Sequence, residues 1–232
     1  LPIYVKGSYK AKSPYFERHE DNPLANAFAD AILERGKKYG ADISLYHAAT
    51  IRGGAEGQIT NYDVKYTMLP FNNDIKVVDI TEKDFVQVLK NTAGSLLTSG
   101  EDAQLLRASG MEYSVRNDKE YFINGGKEPI QEIKINGRSI DVKNPDENKN
   151  VRVILNSYLF SMPRTKDIMA KYKDSAVKAG NEQEIFMEYL NNHKEIDCNK
   201  KEERIKLTAS YDGWGDIEAA RAEVISKLNK TN

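Results

Sequence analysis

Two kinds of hydrophobic period follow one another along this chain, and they constrain its fold more than any other feature. Apolar residues recur every four positions between Leu24 and Ile32, as they do on one face of a helix. The segment Ile75 to Ile80 is a β-branched run, and Met111 to Val115 alternates apolar with polar residues, which is typical of strands. Asn136-Gly137 between two alternating segments predicts a hairpin. The irregular order of these segments predicts an α+β fold of mixed α/β layers, with a mixed sheet flanked by helices.

Helix start signals place several boundaries. Asp21 or Asn22 is positioned to cap a helix that begins at Pro23. Thr81 opens a capping signature ahead of a second apolar face. Further helices are predicted over roughly 165–178, over 182–192 and after the turn 211–216.

Composition limits the classes of function. The chain has 232 residues, of which 40% are apolar and 30% charged, and this suits a globular protein with a real core. The net charge is −1 with the two signs mixed, so nothing indicates a nucleic-acid polymer as partner. No apolar run is long enough to predict membrane insertion. The single cysteine, Cys198, excludes an internal disulfide and a multi-cysteine metal site, and we interpret it as a spectator.

The first residues, Leu1-Pro2-Ile3, do not begin with Met and carry no signal-peptide pattern. We expect a processed chain or an excised fragment of a longer protein. Residues 1–19 show no clear period and are predicted to be a connector. Residues 20–210 are predicted to form the main domain, and 211–232 a C-terminal turn and helix.

A series of motifs occurs in a fixed order over roughly residues 18–210. They are Glu20 to Ala31, Ala41 to Leu45 followed by Ile51-Arg52, Gly57 to Thr60, Leu69 to Asn73, Ala108 to Tyr113, Ile135 to Gly137, Val151 to Leu155 and Glu188 to Leu190. Each motif is weak alone, but the ordered set resembles the C-terminal domain of the 5′-nucleotidase family, which includes UDP-sugar hydrolases and 2′,3′-cyclic-nucleotide phosphodiesterases.

The resemblance implies a division of labour between two domains. An N-terminal metallophosphoesterase domain of the same parent chain would carry two divalent metal ions and the hydrolytic chemistry, while the C-terminal domain recognises the substrate. Only the second domain is matched, so this chain alone is predicted to be inactive and to need no cofactor. The residues agree, because the three histidines, His19, His47 and His193, do not stand in Asp-x-His or Gly-Asn-His-Glu settings. Relatives of this kind lie in the periplasm, in the cell wall or outside the cell, and the same location is expected here.

The resemblance also assigns ligand contacts to particular positions. Phe71 and Tyr158 match two aromatic residues that clamp a nucleobase, and Phe160 could serve in place of Tyr158 if its loop is shifted. Arg52 matches an arginine that reaches phosphate or ribose, for which a planar guanidinium is well suited. Asn73 matches an asparagine whose amide can bond a base edge.

Two departures from the family pattern affect these assignments. The family's Asn-Gly-Gly-Gly is replaced by His47 to Thr50, so His47 stands where an amide contacts substrate and the backbone is less free to approach a ligand. The family's late Gly-Gly-Asp-Gly-Phe is absent, and Arg164 falls on or near its aspartate. Arginine there favours an anionic group over a diol. The site is therefore predicted to take another phosphorylated ligand or to have lost binding.

Two readings of function follow. The first is the nucleotide-recognition domain of a secreted 5′-nucleotidase-like phosphoester hydrolase, with a cyclic nucleotide or nucleotide sugar as other possible substrates. The alternative is a non-catalytic binding or interaction module that kept the fold and lost nucleotide binding. A third hypothesis is a stable α+β domain that binds no ligand.

Overall fold

The computed structural model describes residues 3–9, 18–99, 104–200 and 202–231. The strands are β1 Ile3–Tyr9, β2 Ile43–His47, β3 Ala55–Ile59, β4 Asp74–Thr81, β5 Leu106–Ser109, β6 Met111–Val115, β7 Ile130–Ile135, β8 Arg138–Ile140, β9 Asn150–Asn156, β10 Val177–Asn181, β11 Glu195–Asp197 and β12 Ile205–Leu207. The helices are α1 Pro23–Gly36, α2 Glu82–Ala93, α3 Lys119–Ile123, α4 Lys166–Met169, α5 Glu182–His193 and α6 Trp214–Thr231. Short 3-10 turns cover Lys37–Tyr39, Ala48–Thr50, Ser157–Phe160 and Ala170–Tyr172, and a π-helical turn covers Asp63–Met68.

The central sheet has five strands in the order β10-β4-β9-β2-β5. The pair β2 and β9 is parallel, whereas β10 with β4, β4 with β9 and β2 with β5 are antiparallel. A three-stranded sheet, β11-β1-β3, and a four-stranded sheet, β12-β6-β7-β8, complete the described part of the chain. Mixed sheets with interspersed helices confirm the α+β prediction.

Both faces of the central sheet are covered. Helices α1 and α5 contribute to the apolar cluster on one face, while α2 and the four-stranded sheet contribute to the cluster on the other. All five residues of β2 are therefore buried, although its sequence alternates apolar with polar residues. Two of these polar groups bond carbonyls of α1, the Ser44 hydroxyl donating to Ala29 at 2.7 Å and the Tyr46 hydroxyl to Ala25 at 2.8 Å. A buried hydroxyl is tolerated when it is paired in this way.

The predicted caps are confirmed. The Asn22 side chain accepts a hydrogen bond from the Ala25 N–H at 2.8 Å, ahead of Pro23 at the start of α1. Thr81 accepts from the Asp84 N–H at 3.2 Å and so caps α2. The Asn136-Gly137 turn joins β7 to β8 with φ angles of 49° and 81°, the left-handed values that a two-residue hairpin of this type requires.

Two expectations about local structure are wrong. Residues 3–9, expected within a connector, form strand β1, in which buried Ile3 and Val5 alternate with exposed neighbours. Strand β1 pairs with β3 and β11, which are distant in sequence, so its own short pattern gives little sign of it. Residues 10–17 of the predicted connector lie outside the described residues, and the proposed domain boundaries stay predictions.

The second wrong expectation is the helix over 165–178. Helix α4 and the 3-10 turn after it end at Tyr172, and residues 177–181 form edge strand β10 instead. Pairing with β4 overrides the helical pattern here, and Gly180, at a φ of 143°, lies at the bulge in that pairing.

Candidate functional site

One edge of the central sheet collects polar side chains from neighbouring strands. The parallel strands β2 and β9 both end there, at His47 and Asn156. Strand β4 begins at the same edge, since its Ile75 is the register partner of Asn156, and Asn73 precedes it. Strand β10 ends beside the start of β4 and leads directly into Glu182. We call the group His47, Asn73, Asn156 and Glu182 the polar edge.

Asn156 lies at the centre of the polar edge and is fully buried. Its amide nitrogen is 2.9 Å from Nδ1 of His47, 2.9 Å from Oγ1 of Thr50 and 3.0 Å from Oε1 of Glu182. The Thr50 hydroxyl is itself 2.9 Å from His47 Nδ1. Hydrogen bonds in a buried network support one another, so these contacts fix the ends of β2 and β9 together.

Glu182 is a buried carboxylate at the first position of α5. It accepts hydrogen bonds from the Asn73 backbone N–H at 2.8 Å and from the Asn73 side-chain amide at 3.1 Å. Burial raises the pKa of Glu182 above its usual value, while the hydrogen bonds from Asn156 and Asn73 oppose that shift. The helix N-terminus is a favourable place for its negative charge.

His47 is held in its neutral form. Burial, with a smaller effect of the positive charges of Arg18 and Arg52, lowers the pKa of His47 to about 3, while the hydrogen-bonding contact with Asn156 acts in the opposite direction. Its ring lies 4.3 Å from that of Tyr158, centroid to centroid, at an interplanar angle of 42°. His47 therefore supports the Tyr158 ring and offers no positive charge to a ligand near neutral pH.

A half-buried Arg52 and an exposed Phe71 form a pair beside the polar edge. The Arg52 guanidinium carbon lies 5.3 Å from the Phe71 ring centroid, which is cation–π geometry. The backbone N–H of Arg52 donates to Met68 at 2.9 Å and ties its loop to the π-helical turn. Phe71 is 55% exposed and Tyr158 37% exposed. Among the residues that the structure describes, no carboxylate is within ion-pair distance of Arg52.

The structure thus brings Arg52, Phe71, Asn73, Tyr158 and His47 to one edge of the sheet. Their roles differ from simple expectation in two cases. The Asn73 side-chain amide nitrogen donates to the Glu182 carboxylate, 3.1 Å from each of its oxygens, so it is engaged within the protein. His47 bonds inward through Nδ1. Their contacts with a ligand stay predictions.

Two further residues from the sequence lie apart from this arrangement. Phe160 is partly buried against the main core, with the Lys76 ammonium 5.6 Å from its ring centroid, so Tyr158 is the more exposed of the two rings. Arg164 lines a separate cavity of about 250 Å³ with Asn91, Pro163, Asp167 and Ile168.

Sequence reasoning missed several members of the site. Asn156 and Glu182 hold the polar edge together, Gln104 accepts the Ala49 N–H at 3.0 Å, and Arg18 contributes positive charge near His47. A polar residue that ends a buried strand, as Asn156 ends β9, is the signal that could have found one of them.

Within residues 3–9, 18–99, 104–200 and 202–231, no group of three or more His, Cys, Asp or Glu side chains could hold a metal ion. None of the helices within those ranges is long and apolar enough to cross a membrane.

These observations define a class of protein: an α+β domain that carries aromatic and cationic side chains along one edge of its central sheet. The family described as 5′-nucleotidase, C-terminal domain, matches residues 7–164. The chain belongs to this family. This family match confirms the resemblance that the ordered sequence motifs indicated.

Individual relatives are similar over part of their length. A protein of Treponema pallidum described as a probable 5′-nucleotidase is 25% identical over 161 residues, which cover 67% of this chain and 26% of that protein. The crystal structure of a 5′-nucleotidase precursor from Thermus thermophilus superposes with a TM-score of 0.74 at 20% identity, over 90% of this chain and 39% of that one. The NAD nucleotidase of Haemophilus influenzae gives a TM-score of 0.69 at 16% identity, over 90% and 38%. The chain therefore spans about a quarter to two fifths of the length of these relatives.

Proposed function

We propose that this chain is the substrate-recognition domain of a 5′-nucleotidase-like phosphoester hydrolase and that a nucleotide binds beside the polar edge. The observation that carries the proposal is the Arg52 charge, which has no carboxylate partner among the described residues, held over the exposed Phe71 ring. A nucleotide joins a flat aromatic base to an anion, and these are the two chemistries that this surface offers. Family membership supports the same conclusion.

Each residue would have a distinct role in binding. Phe71 and Tyr158 would stack on the base, each contact contributing about 1–3 kcal/mol. Arg52 would donate hydrogen bonds to phosphate or ribose oxygens. Asn73 would accept a hydrogen bond from the base edge through Oδ1. His47 would support Tyr158 from the protein side.

The hydrolytic chemistry is proposed to belong to an N-terminal metallophosphoesterase domain of the parent protein, which would hold two divalent ions. This chain would bind and present the substrate to that domain. An exported location, outside the cell, in its wall or in the periplasm, is part of the same proposal.

A second candidate is a binding or interaction module that no longer takes nucleotides. The internal use of the Asn73 amide donors and of His47 Nδ1 favours it, because fewer groups are left to read a base. The position of Arg164 in a separate cavity is consistent with it as well.

A thermal-unfolding panel separates the two. The chain would be heated with adenosine, AMP, 2′,3′-cyclic AMP, UDP-glucose and inorganic phosphate. A ligand at 100 times its Kd stabilises the folded state by about 2.7 kcal/mol, which raises Tm by roughly 5–10 °C for a chain of this size. We expect that shift with a nucleotide, its loss in Phe71→Ala and Tyr158→Ala, and its retention in Tyr4→Ala, an exposed aromatic on β1.

No shift with any nucleotide would favour the interaction module instead. A separate assay addresses catalysis. Incubation with AMP and divalent ions should release no phosphate from this chain alone, and a clear metal-dependent rate would contradict the proposed division between domains.

A further inference from the structure

We propose that Glu182 is a positioning residue, whose carboxylate sets the placement of the loops that carry Phe71 and Tyr158. The part of this inference that concerns ligand affinity rests on the proposed function. The part that concerns loop order stands without it.

One carboxylate bridges two loops. Oε2 of Glu182 accepts from the Asn73 backbone N–H at 2.8 Å and from its side-chain amide at 3.1 Å. Oε1 accepts from the same amide at 3.1 Å and from the Asn156 amide at 3.0 Å. Asn73 lies two residues after Phe71, and Asn156 lies two residues before Tyr158. The carboxylate is therefore joined to both aromatic residues through very short stretches of backbone.

The third loop is tied to the same point. The Asn156 amide also reaches Thr50 at 2.9 Å, and Thr50 lies two residues before Arg52. Phe71, Tyr158 and Arg52 thus each lie two positions from a member of one hydrogen-bonded network. Such an arrangement fixes three side chains on three loops relative to each other, which is what a preformed binding site needs.

A carboxylate suits this position better than a neutral side chain. Its oxygens only accept, so they can meet the N–H groups of Asn73 and Asn156 together, and hydrogen bonds to an ionised group are the stronger kind. Glutamine would turn an NH2 group toward one of these donors. Among the described residues, no cation forms an ion pair with Glu182, and a buried charge of this kind persists only where hydrogen bonds compensate for its lost hydration. Its contacts are all to the loops of the site.

Glu184 provides a matched control. It lies in the same first turn of α5, is largely exposed and pairs with Arg35 at 3.0 Å. Glu184→Gln removes one negative charge from the same helix end without touching either loop. Asn73→Ala is a second test variant for loop order, because it removes the side-chain amide, keeps the backbone N–H that also donates to Glu182, and leaves Glu182 and Asn156 in place.

The experiment measures loop order directly. Backbone order parameters for residues 71–73 and 157–160 would be determined by NMR relaxation, well below Tm, in the wild type and in three variants. Rigid backbone gives about 0.85 and flexible backbone below about 0.6. We expect both loops to fall toward the flexible value in Glu182→Gln, only 71–73 to fall in Asn73→Ala, and neither to change in Glu184→Gln. A merely stabilising role would lower Tm but leave these loop values unchanged.

AMP affinity, measured by calorimetry on the same samples, gives the second readout. Glu182→Gln should weaken AMP binding at least about tenfold, because the loops that carry Phe71 and Tyr158 must then become ordered when AMP binds. Glu184→Gln should change the affinity less than about twofold. Rigid loops in Glu182→Gln overturn the positioning role. If that variant does not fold, Glu182→Asp takes its place, because its shorter side chain draws the carboxylate away from the loops, and rigid loops in that variant overturn the positioning role. Ordered loops in a wild type that binds no nucleotide would refute the proposed function and leave the loop-order result to decide this inference alone.

Discussion

Lowering the pH from 7 to 5 should destabilise the fold through His47. The folded state holds the pKa of His47 at about 3, whereas the unfolded chain has the ordinary value near 6.5. Between these values the unfolded chain takes up a proton that the folded protein does not, so stability falls as pH falls through 6.5 and continues to fall toward 3. The difference between pH 7 and pH 5 is roughly 2 kcal/mol for this one group.

Other buried groups also make stability depend on pH, so the measurement needs a variant. Burial raises the pKa of Glu182 and of Asp21. Protonation of these carboxyl groups therefore raises the free energy of unfolding as pH falls, whereas protonation of His47 lowers it. His47→Asn removes the imidazole but keeps a side chain that can accept from Asn156.

The assay is urea unfolding at both pH values. Between pH 7 and pH 5, the free energy of unfolding of the wild type should fall by about 2 kcal/mol more than that of His47→Asn. An equal loss in both proteins would refute the reasoning. So would an NMR titration in which the His47 ring has a midpoint near 6.5.

Three further predictions concern other positions. Asn156→Leu removes one donor from each of the buried acceptors on Glu182, His47 and Thr50. Urea unfolding should show that the free energy of unfolding falls by about 2–4 kcal/mol, and a fall under about 1 kcal/mol would contradict the network. Phe28→Ala removes a fully buried ring that packs edge-on against two others, and should cost about 3–5 kcal/mol in the same assay, with a smaller loss indicating that α1 packs loosely. Arg52→Gln should weaken AMP binding by about ten- to a hundredfold and adenosine binding far less, by calorimetry, and equal losses would argue against a phosphate contact.

The parts of the fold that sequence predicts well are those determined locally. Caps such as Asn22 and Thr81 act within three residues, and the Asn136-Gly137 turn needs only its own backbone preferences. Helix α6 follows from the period of its apolar residues, of which Ile217 and Val224 are fully buried. These features are decided by short-range physics, so they are readable without the tertiary structure.

Elements that form only through pairing with distant segments could not be predicted from the sequence. Strand β1 exists because it pairs with β3 and β11, and β10 exists because β4 offers it an edge. The same is true of the site. The resemblance indicated Arg52, Phe71 and Tyr158, but the bond between Asn156 and Glu182 joins residues 26 apart and arises only from the register of β9, β4 and β10.

Nucleotide recognition at this edge is the central claim, and mapping AMP onto the chain by NMR tests it most directly. Amide chemical shifts would be followed as AMP is added to the wild type. We predict that the changes cluster in residues 47–53, 69–74 and 156–161, and that Phe71→Ala removes them. Shifts clustered on another surface, or none at millimolar AMP, would contradict the claim.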